Sequence, residues 1–276
     1  MKVHLLIIDP QNDFMDIPGS ALPVVGANTD MVRLAGLVDR IGLKLRKIHV
    51  TLDSHQVVDI AHPAFWRDGN GNLPAPMTII SAASIKDGTW TTRIPEFRQR
   101  AIDYAETLEA DGKYQIMVWP AHCLIGSAGY SVQTDLAQAL NRWCEQRVRN
   151  IDYVAKGTNV FTEHYGALQA EVPDPKDPSS QLNGRFLQVL QDADIIVVAG
   201  EASSHCVKAT VEQVADNIGD EHVRKFHLLT DCMSPVGAVT DGNGNVLVDF
   251  PAIADQFLKD MTARGMTLTN SIDFLA

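Results

Sequence analysis

Six short apolar runs punctuate the chain, five of them ending in a polar or turn residue: Val3–Asp9, Lys47–Asp53, Ile151–Ala155, Asp194–Gly200, Lys225–Thr230 and Met266–Thr269. They are mostly continuous rather than alternating, which is the pattern of strands covered on both faces. Between them, apolar positions recur at helical spacing near Thr29–Lys44, Ser131–Val148, Leu182–Gln191, Cys206–Asp216 and Ile253–Arg264. Strands alternating with helices predict an α/β fold, a three-layer α/β/α arrangement around a mostly parallel, doubly wound sheet. In such folds ligands bind at the carboxyl ends of the strands.

The stretch from His55 to Tyr114 breaks this rhythm. It is rich in Pro, Gly, Asp and Trp, with one strand pattern at Met77–Ser81 and one helix pattern at Ile94–Leu108. The expectation is a single domain over 1–276, with a long insertion at about 56–114 emerging on the ligand side; loops this long often form lids. A second polar stretch, Glu171–Ser180, is stiffened by prolines. Asp-Gly-Asn-Gly-Asn occurs twice, at 68–72 and 241–245. Its glycine and distal glutamate are misplaced for a calcium loop, so both copies predict turns, the second a hairpin tip before Val246-Leu247-Val248.

Charge and composition narrow the partners. The net charge is −11, from 23 Lys and Arg against 34 Asp and Glu, without a basic cluster. That argues against nucleic acid and anionic membrane. No stretch approaches the ~20 apolar residues of a membrane span, and the apolar start is too short for a signal peptide. Cys123, Cys144, Cys206 and Cys232 show no CxxC spacing, which disfavours disulfide frameworks and zinc ribbons. A soluble cytoplasmic protein is expected.

Polar residues gather at the predicted strand ends. Asp9 closes the first strand, Asp53 the second, Lys156 follows Tyr153-Val154-Ala155, and Cys206 opens the helix after Ile195–Gly200. Taken singly, each has a plain structural reading: helix cap, solvated amine, packed thiol. Together, a carboxylate, an ammonium and a thiol at one sheet edge suggest thiolate chemistry, with the helix dipole stabilising the anion. Asp53 and His55 share a face of an extended segment, and His122 supplies a further imidazole. Such a set suits Zn²⁺, Fe²⁺ or Mn²⁺, although surface histidines would give the same spacing.

Five motifs occur in order: Asp9-Pro10-Gln11-Asn12-Asp13-Phe14, Asp53-Ser54-His55, Trp119-Pro120-Ala121-His122-Cys123, Lys156-Gly157, and Gly200-Glu201-Ala202-Ser203-Ser204-His205-Cys206-Val207. Together they resemble the nicotinamidase branch of the isochorismatase-like cysteine hydrolases, over nearly the whole chain. The resemblance implies Cys206 as nucleophile, Asp9 as general base and acid, and Lys156 as stabiliser of the thiolate. It implies an oxyanion hole from the N–H groups of Ala202 and Cys206, with a cis peptide between Glu201 and Ala202. Asp53, His55 and His122 would hold one divalent metal, zinc first, with manganese and iron as alternatives. Phe14, Trp119 and Tyr165 would wall the substrate ring.

The activity implied is hydrolysis of nicotinamide to nicotinate and ammonia in NAD salvage, with a small-molecule amide as the partner and homo-oligomerisation left open. A related hydrolase of another amide or carbamoyl compound is the alternative, and a silent binding protein on the same fold a third reading. Four features depart from the pattern. Ser54 replaces an aromatic, the histidine usual beyond the metal pair has only His62 as candidate, Glu201 stands where an apolar residue is expected, and two insertions are long.

Overall fold

Strand β1 (Val3–Ile8) is buried along its whole length, and its side chains alternate between two cores. The computed structural model describes residues 1–276 except 111, 113, 241 and 242. Around β1 assemble β2 (Leu45–Asp53), β3 (Asp152–Lys156), β4 (Ile195–Gly200), β5 (Phe226–Leu229) and β6 (Thr267–Thr269). Their order across the sheet is β6-β5-β4-β1-β2-β3, and every pairing is parallel.

Helices α1 (Ala27–Ile41) and α2 (Thr134–Arg147) pack on one face against Leu5, Ile7, Ile48 and Val50. Helices α3 (Gly184–Gln191), α4 (Cys206–Asn217) and α5 (Phe250–Ala263) cover Leu6, Ile8, Ile196 and Val198 on the other. The α/β fold with a doubly wound parallel sheet is therefore present. The order reverses between β1 and β4, and a sheet of this winding opens a crevice there, beyond the strands' carboxyl ends.

The insertion is more structured than a lid loop. Short strands Trp66–Asp68 and Trp90–Thr92 pair antiparallel, as do Thr78–Ile80 and Ile116–Val118. With helices Ala82–Lys86 and Arg98–Ala110 they enclose a separate core built on Phe65, Trp66, Ile80, Ile102 and Leu108. Trp66 is fully buried and donates its indole N–H to the Ile60 carbonyl at 2.7 Å. The last strand of this unit delivers the chain to Trp119, whose N–H donates to the Ala61 carbonyl at 2.7 Å. The two ends of the insertion thus meet beside the sheet.

The first Asp-Gly-Asn-Gly-Asn segment is a turn, with the Asn70 and Asn72 N–H groups donating to the Asp68 carboxylate. At the second, Val239–Thr240 pairs antiparallel with Val246–Val248, while Asp241 and Gly242 lie outside the described residues. Among the described residues no helix is long and apolar enough to cross a membrane.

Candidate active site

The switch point brings four strand ends together. Asp9 follows β1 in the left-handed region (φ 44°), and Asp53 and Lys156 are register partners at the ends of β2 and β3. Gly200 ends β4 at φ 122°, where a Cβ would collide with the Ile8 carbonyl, so only glycine fits. This close approach lets the Glu201 N–H donate to Ile8 O at 2.8 Å, and the chain then turns into α4 at Cys206.

Lys156 joins the groups. Its Nζ lies 2.9 Å from Asp9 Oδ2, 2.9 Å from Asp53 Oδ1, 2.9 Å from the His164 carbonyl and 3.6 Å from Cys206 Sγ. All four side chains are buried. Burial disfavours the Lys156 ammonium, but Asp53, Asp9 and Cys206 overcome it and hold its pKa well above the usual lysine value. Burial raises Asp9, with Lys156 pulling it down and Asp53 pushing it up. Burial also works against ionised Asp53, yet His55 and Lys156 hold it well below the carboxylate range. Thr51 fixes Asp9 from the side, donating Oγ1–H to Oδ1 at 2.6 Å and accepting the Asp9 N–H at 3.0 Å.

Cys206 does sit at the first residue of α4, but burial pushes its pKa well above the ordinary thiol value. Lys156 opposes this, whereas Asp9 and Asp53 reinforce it. Full desolvation by a closed pocket outweighs one helix terminus, whose effect is about 0.3–1 kcal/mol at an exposed site. Burial therefore favours the thiol over the thiolate in the closed pocket.

Around Asp53 lies a histidine cluster. His55 Nε2 is 3.0 Å and His122 Nε2 3.4 Å from Asp53 Oδ2. His55, His122 and His62 also form a buried group whose ligand atoms lie within 4.8 Å of one another. His62, named from sequence only as a nearby candidate, is therefore part of the cluster.

The ring orientations fit a metal. His55 Nδ1 lies 3.1 Å from the Asp59 carboxylate, and His122 Nδ1 2.8 Å from the Pro120 carbonyl and 3.3 Å from His62 Nε2. In the Nδ1–H tautomer both rings would present an Nε2 lone pair to Asp53. Acceptors converging in a buried space require a cation between them, and a carboxylate behind a ligating imidazole is a usual second partner. In the protein alone His55 takes this role: burial opposes its charge, but Asp53 and Asp59 hold its pKa well above the ordinary value.

The Glu201–Ala202 peptide is cis. Among the described residues no protein acceptor receives the N–H of Ala202 or of Cys206. Both residues line a small cavity. Phe14, Trp119 and Tyr165 line it as well, and the Trp119 indole N–H donates to the Tyr165 hydroxyl at 2.9 Å.

Sequence reasoning passed over several neighbours. Glu163 lines the same cavity, its carboxyl pushed up to about 8 chiefly by burial. Gln11 clamps the Asp53 backbone, donating to its carbonyl at 2.8 Å and accepting its N–H at 2.7 Å. His205 stands between Trp119 and Phe250 at the cavity wall. Gln11 lay inside a quoted motif and could have been found there; Glu163, seven residues beyond Lys156, offered no signal.

In fold, the chain is like the nicotinamidases and pyrazinamidases of the isochorismatase-like hydrolases. The yeast nicotinamidase Pnc1p superposes with a TM-score of 0.61 at 18% identity, covering 97% of this chain and 99% of that one. It is also known bound to the inhibitor nicotinaldehyde. An Acinetobacter baumanii nicotinamidase/pyrazinamidase gives 0.60 at 18% identity, covering 99% and 98%. Pyrococcus horikoshii pyrazinamidase, in complex with zinc, gives 0.54 at 17% identity, covering 98% and 99%. In sequence, no protein-family profile matches the chain and no curated protein matches it.

Proposed function

We propose that this chain is a cysteine amidohydrolase that converts nicotinamide to nicotinate and ammonia, a reaction of NAD salvage. The observation that carries the reading is the contact of one buried ammonium with two carboxylates and a thiol sulfur, Lys156 with Asp9, Asp53 and Cys206. Such a set has no evident structural use, because replacing a buried ion pair by apolar residues is often neutral or stabilising.

Asp9 takes the thiol proton as Cys206 Sγ attacks the carboxamide carbon, and Lys156 compensates the charge that leaves the thiol. The tetrahedral oxyanion accepts from the N–H groups of Ala202 and Cys206, each such donor being worth about 3 kcal/mol. Asp9 passes its proton to the nitrogen, ammonia leaves and a thioester remains. Water, deprotonated by Asp9, then attacks the thioester; the acid departs and the proton returns to sulfur. Asp53, His55 and His122, with His62 beside them, would hold a divalent cation, zinc first. Its contribution when bound is a Lewis-acidic anchor for the pyridine nitrogen. Phe14, Trp119 and Tyr165 orient the ring and exclude water.

A second reading keeps this chemistry and changes the amide. An apolar groove of about 350 Å³ abuts the cavity and shares Trp119, Tyr165 and His205 with it, which favours a carboxamide with an apolar extension. Ammonia release from a panel of carboxamides, with wild type and Cys206→Ala, tests both. Nicotinamide turnover lost in Cys206→Ala supports the first reading, and turnover restricted to larger amides supports the second. Nicotinamide hydrolysis that survives the substitution refutes the cysteine mechanism.

A further inference from the structure

Glu201 is wholly buried and immediately precedes Ala202, at a position where the family resemblance implies an apolar residue. We infer that Glu201 is a positioning residue: as a neutral carboxylic acid it ties the turn carrying the Ala202 N–H to α1 and to the 231–236 loop. This rests on reading Ala202 as an oxyanion-hole donor.

The hydrogen bonds argue for it. Glu201 Oε2 accepts the Ser234 N–H at 3.0 Å, while no donor faces Oε1. A buried carboxylate oxygen without a donor is costly, whereas a carboxylic acid there supplies its own proton. Ser234 bridges Glu201 to the Asp30 carboxyl on α1, its N–H donating to Glu201 Oε2 and its hydroxyl to Asp30 Oδ2 at 2.6 Å. Asp30 stands near enough to raise the Glu201 pKa further, and it also accepts the Arg33 guanidinium at 3.0 Å.

The charged groups facing the pair are Asp30 and Arg33 on α1, Asp16 in the loop after β1, and Asp231 after β5. One half-exposed cation among these acids does not compensate a second buried anion. Burial first, and Asp30 second, accordingly keep Glu201 protonated well above the usual carboxyl range.

The tie is multiple. The Gly200 N–H donates to Cys232 O at 2.9 Å, Ser203 N–H to Ser234 O at 2.9 Å, and Val236 N–H to Ser204 Oγ at 3.1 Å. Val236 lines the catalytic cavity. Loss of the proton would set two carboxylates against each other under the turn and withdraw the Ala202 N–H from the developing oxyanion.

The test compares wild type, Glu201→Gln and Glu201→Leu by kcat and KM between about pH 6 and 10. Glutamine stays neutral and accepts from Ser234 at every pH. Glu201→Gln should keep kcat within about twofold at pH 7 and lack the alkaline fall that Glu201 imposes, whereas Glu201→Leu should lose about ten- to a hundredfold in kcat with KM unchanged. The amide resonance of Ala202, from ¹⁵N-alanine labelling, supplies a readout independent of turnover. A step in its pH titration should be present in wild type and missing in Glu201→Gln. The inference is overturned by wild-type kcat in a folded Glu201→Leu protein, by a Glu201→Gln enzyme as impaired as the leucine variant, or by an Ala202 resonance that titrates alike in wild type and Glu201→Gln. A wild-type protein that hydrolyses no carboxamide sinks the proposed function instead, and the resonance still decides the role of Glu201.

Discussion

Strands β1, β2 and β3 carry ionisable side chains at both of their ends, and the two ends are built on opposite principles. At the amino end, His4 Nδ1 meets His49 Nε2 at 3.2 Å, and His49 Nδ1 meets Asp152 at 2.8 Å. That chain finishes on a carboxylate 52% exposed, and burial, with the nearby cations, lowers His4 to about 4. His4 is thereby kept neutral, and the chain opens to water through Asp152. At the carboxyl end the same strands contribute Asp9, Asp53 and Lys156, all within 5% exposure and all held charged or poised by one another. The comparison teaches that burial of polar groups does not by itself make a site. A site appears where opposite charges are confined together beside a cavity and a helix terminus, against the desolvation penalty.

Substitutions can break this contrast in graded ways. The largest effect is expected for Cys206→Ala, with turnover down by about four orders of magnitude or more while the protein stays folded by circular dichroism. Next comes Lys156→Met, which takes from Asp9 its cation and leaves Asp53 only the histidines. It should lose turnover and about 3–5 kcal/mol of stability in urea unfolding, whereas His49→Leu at the other end should lose about 1–2 kcal/mol. Equal losses at the two ends would erase the distinction drawn here.

A smaller and more selective effect is expected for His122→Ala or for chelation. KM for nicotinamide should rise about tenfold or more with kcat changed less, because the cluster anchors the ring. A normal KM with a collapsed kcat would reassign the cluster to the chemical step.

The smallest effect concerns pH. His4 has a folded pKa of about 4 against 6.5 unfolded, so between these values the unfolded chain binds more protons and stability falls as pH falls. His4→Leu should flatten that acid-side slope in urea midpoints and leave turnover at pH 7 untouched. An unchanged slope would show that His4 does not titrate with unfolding.

Much of the frame was legible because parallel strands buried on both faces are continuous apolar runs. Val3–Ile8 and Ile195–Gly200 stand out for this reason, and they fix where Asp9 and Cys206 lie. Lys156 was legible as the polar end of such a run. The insertion was not. Trp66–Asp68 and Trp90–Thr92 are three residues long, too short for a period, and their pairing is set by Phe65 and Trp66 packing. Likewise Thr51, Asp59 and Glu163 reach the site through contacts that no local pattern encodes. The helix terminus at Cys206 was visible in sequence, whereas the burial that raises its pKa was not.

The account stands most directly on acyl transfer to sulfur. Wild-type protein mixed with nicotinamide, quenched in acid and digested, should yield the Cys206 peptide carrying a nicotinoyl group. The adduct should be absent in Cys206→Ala and reduced in Asp9→Asn. Ammonia released at the normal rate with that peptide unmodified, or an adduct on another residue, would contradict it.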